Sequence, residues 1–436
     1  MLASQLSPRP QTAPLAACWQ WGEEQLKDWQ LQQLNAQLRA VLPTNRFYQQ
    51  KFGSQNLQLS DWAELSQLPL TTKQELVQSV DEGQQGLAAH HTYEQSRYSR
   101  IHRTSGTTGQ PLMIFDTAED WQWWSATWQH VLQAAGVTGD DRVFMAFSFG
   151  PFIGFWSAHQ ACVDRGATVV PGGGLSSLAR LEFMRQARTT IVCCTPSYAL
   201  HLAEIARQES FPLQDIGVRR LIVAGEAGGS VSAVREKMEQ EWQAQVVDHS
   251  GATEIGPWGF GWPDRSGLHV IETSFIAEFL PLEQAAHSIA QPQPGLLQEL
   301  VLTSLGRYGA PVFRYRTGDV VQWQRNAQTP CRFLWLPQGV VGRADNMVTI
   351  RGVNIFPSSL DAIIRELPHI GEYRVLVTRS GQLDQLHIEI EGSEPSQLTL
   401  EKVLATRLGL RIPVQIVADH SLPRSELKSR RWLDRR

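Results

Sequence analysis

The chain has 436 residues, 42% hydrophobic and 19% charged, with a net charge of −4 at pH 7. That balance is globular, long enough for two or three domains, and argues against a nucleic-acid partner. No apolar run reaches the length of a membrane span, and MLASQLSPRPQ lacks a charged leader followed by an apolar stretch, so a cytoplasmic protein away from the membrane is expected.

Residues 1–97 read as mainly helical, with helical periodicity over Trp19–Leu38 and after Thr72. Tyr98–His102 and Leu112–Phe115 then read as strands around Arg103–Pro111, RTSGTTGQP. Two glycines and four hydroxyls within Thr104–Gly109 suit a loop whose N–H groups and side chains hold phosphate. A Walker-type loop runs from strand to helix and ends Gly-Lys-Ser/Thr, whereas Gly109-Gln110-Pro111 does not. Trp121, Trp124 and Trp128 follow at helical spacing and read as core. The segment Ala146–Phe155, AFSFGPFIGF, offers Phe147, Phe149, Phe152 and Phe155 either as walls for an aromatic ligand or as plain core.

From Arg142 onward short apolar runs alternate with helical stretches. The strands expected are Val143–Phe147, Ala167–Val170, Thr190–Cys194, Arg220–Ala224 and Gln245–Asp248; the helices are Leu178–Ala187, Ser197–Arg207 and Ser232–Trp242. This spacing predicts crossover units and a largely parallel sheet covered on both faces. The five cysteines (Cys18, Cys162, Cys193, Cys194, Cys331) show no metal spacing, and Cys193-Cys194 reads as a pair of inert buried thiols. Glu299–Thr303 and Val312–Tyr315 read as further strands.

Two loops that follow strands carry candidate chemistry. VAGEAGG (Val223–Gly229) has small residues against which a flat base could lie, and DHSGATEIGP (Asp248–Pro257) offers Glu254 as a Mg²⁺ ligand beside substrate phosphates. RYRTGDV (Arg314–Val320) ends a strand on Asp319, a carboxylate suited to two ribose hydroxyls. A break falls at Gly342–Asn346, with Arg343 able to reach ribose or phosphate and Asp345 as hinge. Beyond it come a hairpin over Met347–Phe356, a helix from Pro357 with Leu360, Ile363, Ile364 and Leu367 on one face, strands at Arg374–Thr378, Leu386–Ile390 and Val414–Val417, and a helix over Leu400–Leu408. Fold class is therefore α/β: a large N-terminal domain of mixed and parallel sheets flanked by helices, residues 1–344, plus a small C-terminal α+β domain, residues 345–436. Lys428, in PRSELK, taken alone reads as a solvated tail lysine.

In this order the segments resemble the acyl-adenylate-forming superfamily of acyl-CoA synthetases, and within it the phenylacetate–CoA ligase family. NRFYQQKF (Asn45–Phe52), LPLTTKQEL (Leu68–Leu76), CCTPSYALHLAE (Cys193–Glu204), SGLHVIE (Ser266–Glu272), RYRTGD and RGVNIFPSSLD (Arg351–Asp361) carry the likeness. The resemblance implies that a carboxylate attacks ATP to give acyl-AMP and pyrophosphate, after which the thiol of coenzyme A takes the acyl group. It implies that Ser105, Gly106, Thr107, Thr108 and Gly109 hold phosphate, with Thr108, Glu254 and Lys428 catalytic. Gly225, Glu226, Ala227, Asp248, His249 and Ser250 would frame adenine, and Asp319 and Arg343 would hold ribose. Asp345 would let the small domain swing as a lid, turning Arg351-Gly352 toward the CoA channel. ATP, Mg²⁺ and coenzyme A are the implied small molecules, and a homodimer the implied assembly. Gln110, Ser250 and Leu427 stand where the family has Lys, Tyr and Gly, and Trp262 stands near where some relatives carry Cys, so no zinc is expected. Phe155 stands where relatives carry a small residue, which reshapes the acid pocket; an aryl or arylacetic acid is expected. A non-CoA acceptor, or a catalytically degenerate nucleotide-binding protein, are the alternatives.

Overall fold

The structure is a computed structural model that describes residues 12–80, 87–104, 111–282, 293–325, 330–350, 353–367, 369–380, 383–424 and 431–436. Among the described residues the largest sheet has eight strands. Thr168–Pro171, Arg142–Met145, Ile191–Cys194, Arg220–Val223 and Gln245–Ala252 run parallel in that spatial order. Gly256–Trp262, Arg265–Val270 and Trp335–Leu336 extend it antiparallel. The expected α/β class is what the structure has. Val143, Phe144, Ile191, Val192, Leu221, Ile222, Val246 and Val247 are wholly or almost wholly buried, as strands covered on both faces require.

Helices lie where apolar periodicity and caps put them. Ala118–Ala134 starts at a Thr117–Asp120 capping box and buries Trp121, Trp123, Trp124 and Trp128 in the core. Pro196–Gln208 is capped by Thr195, and Ser232–Trp242 spans the expected residues. The first long helix is Glu23–Val41, so Trp19 precedes it in a 3₁₀ turn.

A second sheet, antiparallel, orders Phe275–Pro281, Gln298–Ser304, Tyr315–Val321 and Val340–Arg343. Here one expectation is corrected. The strand expected at Val312–Tyr315 begins only at Tyr315, because Arg314 adopts φ 48°, a left-handed conformation that breaks a strand. The run Gly256–Pro281, assigned no strands from sequence, forms three.

The last ninety residues gather a core of their own around Ile355, Leu360, Ile364, Val375, Ile388, Leu400 and Leu404. Val348–Ile350 and Val353–Ile355 pair as a hairpin, and its turn, Arg351-Gly352, lies outside the described residues. Tyr373–Ser380 and Leu383–Glu391 are flanked by Val414–Val417 and Trp432–Asp434, both parallel to their neighbours.

Candidate active site

The strands Tyr98–Arg103 and Met113–Thr117 form the antiparallel hairpin that carries the Gly/Thr/Ser loop. At its base Thr104 N–H donates to the Leu112 carbonyl at 3.0 Å, and the Leu112 N–H donates to Thr104 Oγ1 at 2.9 Å. Ser105, Gly106, Thr107, Thr108, Gly109 and Gln110 lie outside the described residues. Arg103 N–H donates to the Pro151 carbonyl at 2.9 Å, which ties the loop's entry to the phenylalanine segment.

Two loops at the carboxyl ends of parallel strands stand on the same side of the sheet. Gly225 has φ 94°, and the Glu226 carboxylate accepts the Ser197 N–H at 2.7 Å, at the positive end of helix Pro196–Gln208. A Cβ on Gly229 would lie 2.5 Å from the Asp248 carboxyl, so glycine is required there. Asp248 accepts the Ser230 hydroxyl at 2.5 Å, and burial, opposed by Ser230 and Arg235, pushes its pKa up to about 6. His249 points to the opposite face. Its Nδ1 donates to the Gly259 carbonyl at 2.8 Å, its ring lies 4.2 Å from Trp128, and burial pushes it down to about 4. Strand alternation places half-buried Ser250 on the Asp248 side.

Glu254 is buried, and its Oε1 lies 3.0 Å from Lys73 Nζ. Sequence reasoning passed over Lys73, which lies 181 positions away; the only local signal is the Thr72–Glu75 capping box that starts its helix, Lys73–Gln78. The segment is pinned along strand Tyr315–Val321. Thr71 N–H donates to the Arg314 carbonyl at 2.9 Å, and Arg316 N–H donates to the Thr71 carbonyl at 2.8 Å. Arg314 Nη1 reaches the Ser66 carbonyl at 2.6 Å while its Nη2 donates to Glu278 at 2.8 Å. The left-handed Arg314 backbone and the RYRTGD motif thus deliver Lys73 to Glu254.

Asp319 faces Arg343 across the paired strands. Arg343 Nη1 donates to Asp319 Oδ1 at 3.2 Å and to the Thr317 carbonyl at 2.7 Å, while Nε and Nη2 hold Asp345 at 3.0 and 2.9 Å. Burial pushes Asp319 up to about 6 even beside that guanidinium. Gly318 has φ 73°, and a Cβ there would lie 2.8 Å from Arg343 Nη2. Among the described residues no three His, Cys, Asp or Glu side chains gather to hold a metal. Glu254 supplies one carboxylate, and Mg²⁺ sites usually combine one or two carboxylates with oxygens of a bound substrate.

Phe147 stacks on Phe155 with centroids 4.2 Å apart and planes 21° from parallel. Phe149 meets Phe147 at 5.7 Å, and Phe152 stands edge-on to Phe155 at 6.1 Å. All four expected rings therefore form one cluster beyond the end of strand Arg142–Met145. The two neighbouring thiols are buried, and burial drives Cys193 up and Cys194 to about 12, which keeps both protonated.

Lys428 lies outside the described residues. On one side of its segment Arg424 pairs with Glu391 at 2.7 Å and with Glu204 of helix Pro196–Gln208 at 3.6 Å; on the other Arg431 holds Glu372 at 2.6 Å.

Comparison with known proteins completes the picture. The AMP-binding enzyme C-terminal domain matches residues 352–436. The phenylacetate-coenzyme A ligase of Escherichia coli K12 is 29% identical over 95% of each chain. The solved 2-hydroxyisobutyryl-CoA ligase in its postadenylation state is 26% identical, with a TM-score of 0.86 over 95% of this chain and 90% of that one. The same ligase in its thioesterification state gives 0.71 over 97% and 94%. The AMP-binding enzyme model itself matches residues 47–275, more than half of the chain, so this chain belongs to the AMP-binding enzyme family and stands among its AMP-forming acid–CoA ligases.

Proposed function

We propose that the chain activates an aryl or arylacetic acid with ATP and transfers the acyl group to coenzyme A. The observation that carries the acid class is the aromatic cluster Phe147–Phe155, attached to the entry of the phosphate loop through Arg103 and Pro151. Flat rings lined by phenylalanine suit an aromatic acid. The full-length likeness to a phenylacetate-coenzyme A ligase supports the same class.

Ser105, Gly106, Thr107, Thr108 and Gly109 hold the phosphates in this reading. Gly225, Glu226, Ala227, Asp248 and Ser250 border adenine, with His249 backing the strand. Asp319 and Arg343 take the ribose. Glu254 holds Mg²⁺ with the substrate's phosphates, and that ion, when bound, offsets phosphate charge. Lys73 balances the Glu254 carboxylate before nucleotide arrives. Lys428 bridges carboxylate and α-phosphate, so the negative charge that develops in adenylation meets pre-placed donors. Residues 1–344 form the adenylation domain and 345–436 the lid. Rotation about Asp345 then withdraws Lys428 and brings Arg351-Gly352 to the CoA channel. That a 26% identical 2-hydroxyisobutyryl-CoA ligase has been solved in both a postadenylation and a thioesterification state supports a lid with two poses. A cytoplasmic homodimer is the proposed working form.

A second reading has its own observation. The Phe147–Phe155 stack fills space that a small residue at 155 would leave open, and one similar solved structure is a 2-hydroxyisobutyryl-CoA ligase. A small branched acid is therefore the rival substrate. ATP–pyrophosphate exchange across a panel of benzoates, arylacetates and short hydroxy acids decides between them. Exchange with aromatic acids, followed by acyl-CoA detected by mass, is expected. Exchange without acyl-CoA points to another acceptor, and no exchange with any acid overturns the enzymatic reading.

A further inference from the structure

We propose that Arg307, paired with Asp116, is a positioning residue for adenylation: it sets the distance between the phosphate-loop hairpin and the loop that bears Glu254. The proposal rests on the assignment of those two loops to the nucleotide's phosphates.

Arg307 and Asp116 are both completely buried. Arg307 Nε donates to Asp116 Oδ1 at 2.8 Å, and Nη2 lies 2.7 Å from the same oxygen. Nη1 turns the other way and donates to the Thr253 carbonyl at 2.7 Å. Asp116 lies on Met113–Thr117, the strand by which the chain leaves the phosphate loop. Its second oxygen faces His102 Nδ1, 3.7 Å away on the strand by which the chain enters it. Thr253 immediately precedes Glu254. One guanidinium therefore joins the hairpin to the loop that bears Glu254.

The arginine is itself fixed. Gly306 N–H donates to Gln37 Oε1 at 2.8 Å, the Arg307 carbonyl accepts from Gln37 Nε2 at 3.2 Å, and the guanidinium lies 5.2 Å over the Trp124 ring. On the other side Asp120 accepts the Tyr308 and Gly309 N–H groups at 2.7 and 3.1 Å. A Cβ on Gly309 would come within 2.3 Å of Asp120 Oδ2, so the close approach calls for glycine there.

A buried ion pair is a poor way to stabilise a core, because desolvation offsets most of the attraction, and apolar residues of similar volume often serve as well. What apolar residues cannot do is hold the Thr253 carbonyl at a set distance from Asp116. Burial by itself drives the Asp116 carboxyl up; Arg307 and His102 more than reverse this and keep it ionised, so the link stays charged.

Three variants of the full chain test this: R307M, R307M/D116L and R307K. R307M leaves Asp116 unpaired and is expected to lower Tm. R307M/D116L removes that unpaired charge and should recover most of the Tm. Its exchange kcat should nevertheless stay ~10²-fold down, the cost of a small misplacement at a reacting centre. The Mg²⁺ concentration for half-maximal exchange should rise and the KM for the acid should hold within about twofold, because the mislaid groups serve phosphate and metal. Hydrogen exchange adds a readout independent of turnover: amides of residues 253–256 should lose protection while those of strand Arg220–Val223 keep it. If rate returns together with Tm in R307M/D116L, the pair is only structural and the proposal fails.

R307K covers the case in which neither methionine variant folds. Lysine keeps the charge but not the fork, so kcat should drop roughly three- to tenfold at nearly unchanged Tm; parental kcat overturns the proposal. E254Q, run alongside, separates the two assignments. Unchanged Mg²⁺ dependence in E254Q with loss in R307M/D116L removes the metal role of Glu254 and leaves the Arg307 link standing.

Discussion

The two halves of the proposed site are built of opposite materials. On the nucleotide side, charged groups hold backbone: Arg307 on the Thr253 carbonyl, Arg314 on Ser66, Arg343 on Thr317, with Lys73 on Glu254. On the proposed acid side, four phenylalanines hold one another through ring contacts. Hydrogen bonds to carbonyls are directional and fix atoms to tenths of an ångström. Ring packing is tolerant of exchange among residues of similar volume. The contrast assigns the two halves different work. On the proposed reading, one holds the reaction geometry for any acid and the other chooses which acid enters. Substitutions on the first side should lower turnover for all acids alike; substitutions on the second should reorder them.

The largest expected effect is on the charged side. K428A should reduce ATP–pyrophosphate exchange by ~10²–10³-fold with every acid, the scale of losing one pre-placed donor to developing charge. Thioester formation from supplied acyl-AMP should survive, and equal loss in both half-reactions would remove the proposed role. E254Q should lower exchange by about 10²-fold, again without regard to the acid. K73M should cost about tenfold, since it strips a counter-charge from a buried carboxylate but removes no atom assigned to the nucleotide. An acid-dependent response to either variant would break the division between the two halves.

The acid side should answer differently. F155G removes the ring stacked on Phe147 and should raise kcat/KM for phenylacetate relative to benzoate by roughly 10–200-fold, the range a hydrophobic pocket can discriminate. The KM for ATP should hold. If F155G instead leaves the order of acids as it was and lowers exchange with all of them, the cluster is core and the acid is bound elsewhere.

How far the sequence carried this reading follows from the same contrast. The parallel strands and their helices were legible because each is a short apolar run or an amphipathic repeat complete in itself. Ser232–Trp242 and Val414–Val417 occupy the residues expected of them. Gly256–Val270 was illegible as strand because its glycines hide the pattern. A Cβ on Gly256 would lie 2.7 Å from Trp123, and one on Gly261 3.0 Å from the Gly267 carbonyl, so close packing rather than β-propensity decides those residues. Asp319, Arg343 and Asp345 were each singled out in sequence, two for ribose and one as hinge, but the ion pairs that join them were not. Lys73 and Arg307 were not legible at all. Each acts on a loop far away in the chain, and only the tertiary path through Arg314 or Asp116 brings it there. His249 and Ser250 were read together, yet a strand sends adjacent side chains to opposite faces, and only Ser250 shares a side with Asp248.

The smallest expected effect is a pH dependence confined to the charged half. Asp319 and Asp248 both have folded values of about 6, raised by burial above the ordinary ~4 of an aspartate. A carboxyl raised on folding binds its proton more tightly in the native state. Its contribution to stability is therefore full below pH ~4 and is lost as pH rises through about 6. Binding runs the other way. In the proposed ribose role the Asp319 oxygens must act as acceptors, and protonation below pH 6 turns one of them into a donor. The KM for ATP should thus rise severalfold from pH 7.5 to 5.5 while Tm, from these two groups, moves up. D319N should flatten the KM profile at a uniformly high value. D248N should remove its own share of the Tm profile and leave the KM profile unchanged, because the Asp248 carboxyl is spent on Ser230 beneath the Gly225–Gly229 loop. A KM profile flattened by D248N instead would shift the titrating contact from the ribose side of the cleft to the adenine side. The acid's own KM should be indifferent to both variants, since neither Asp319 nor Asp248 is among the ring partners of the phenylalanine cluster.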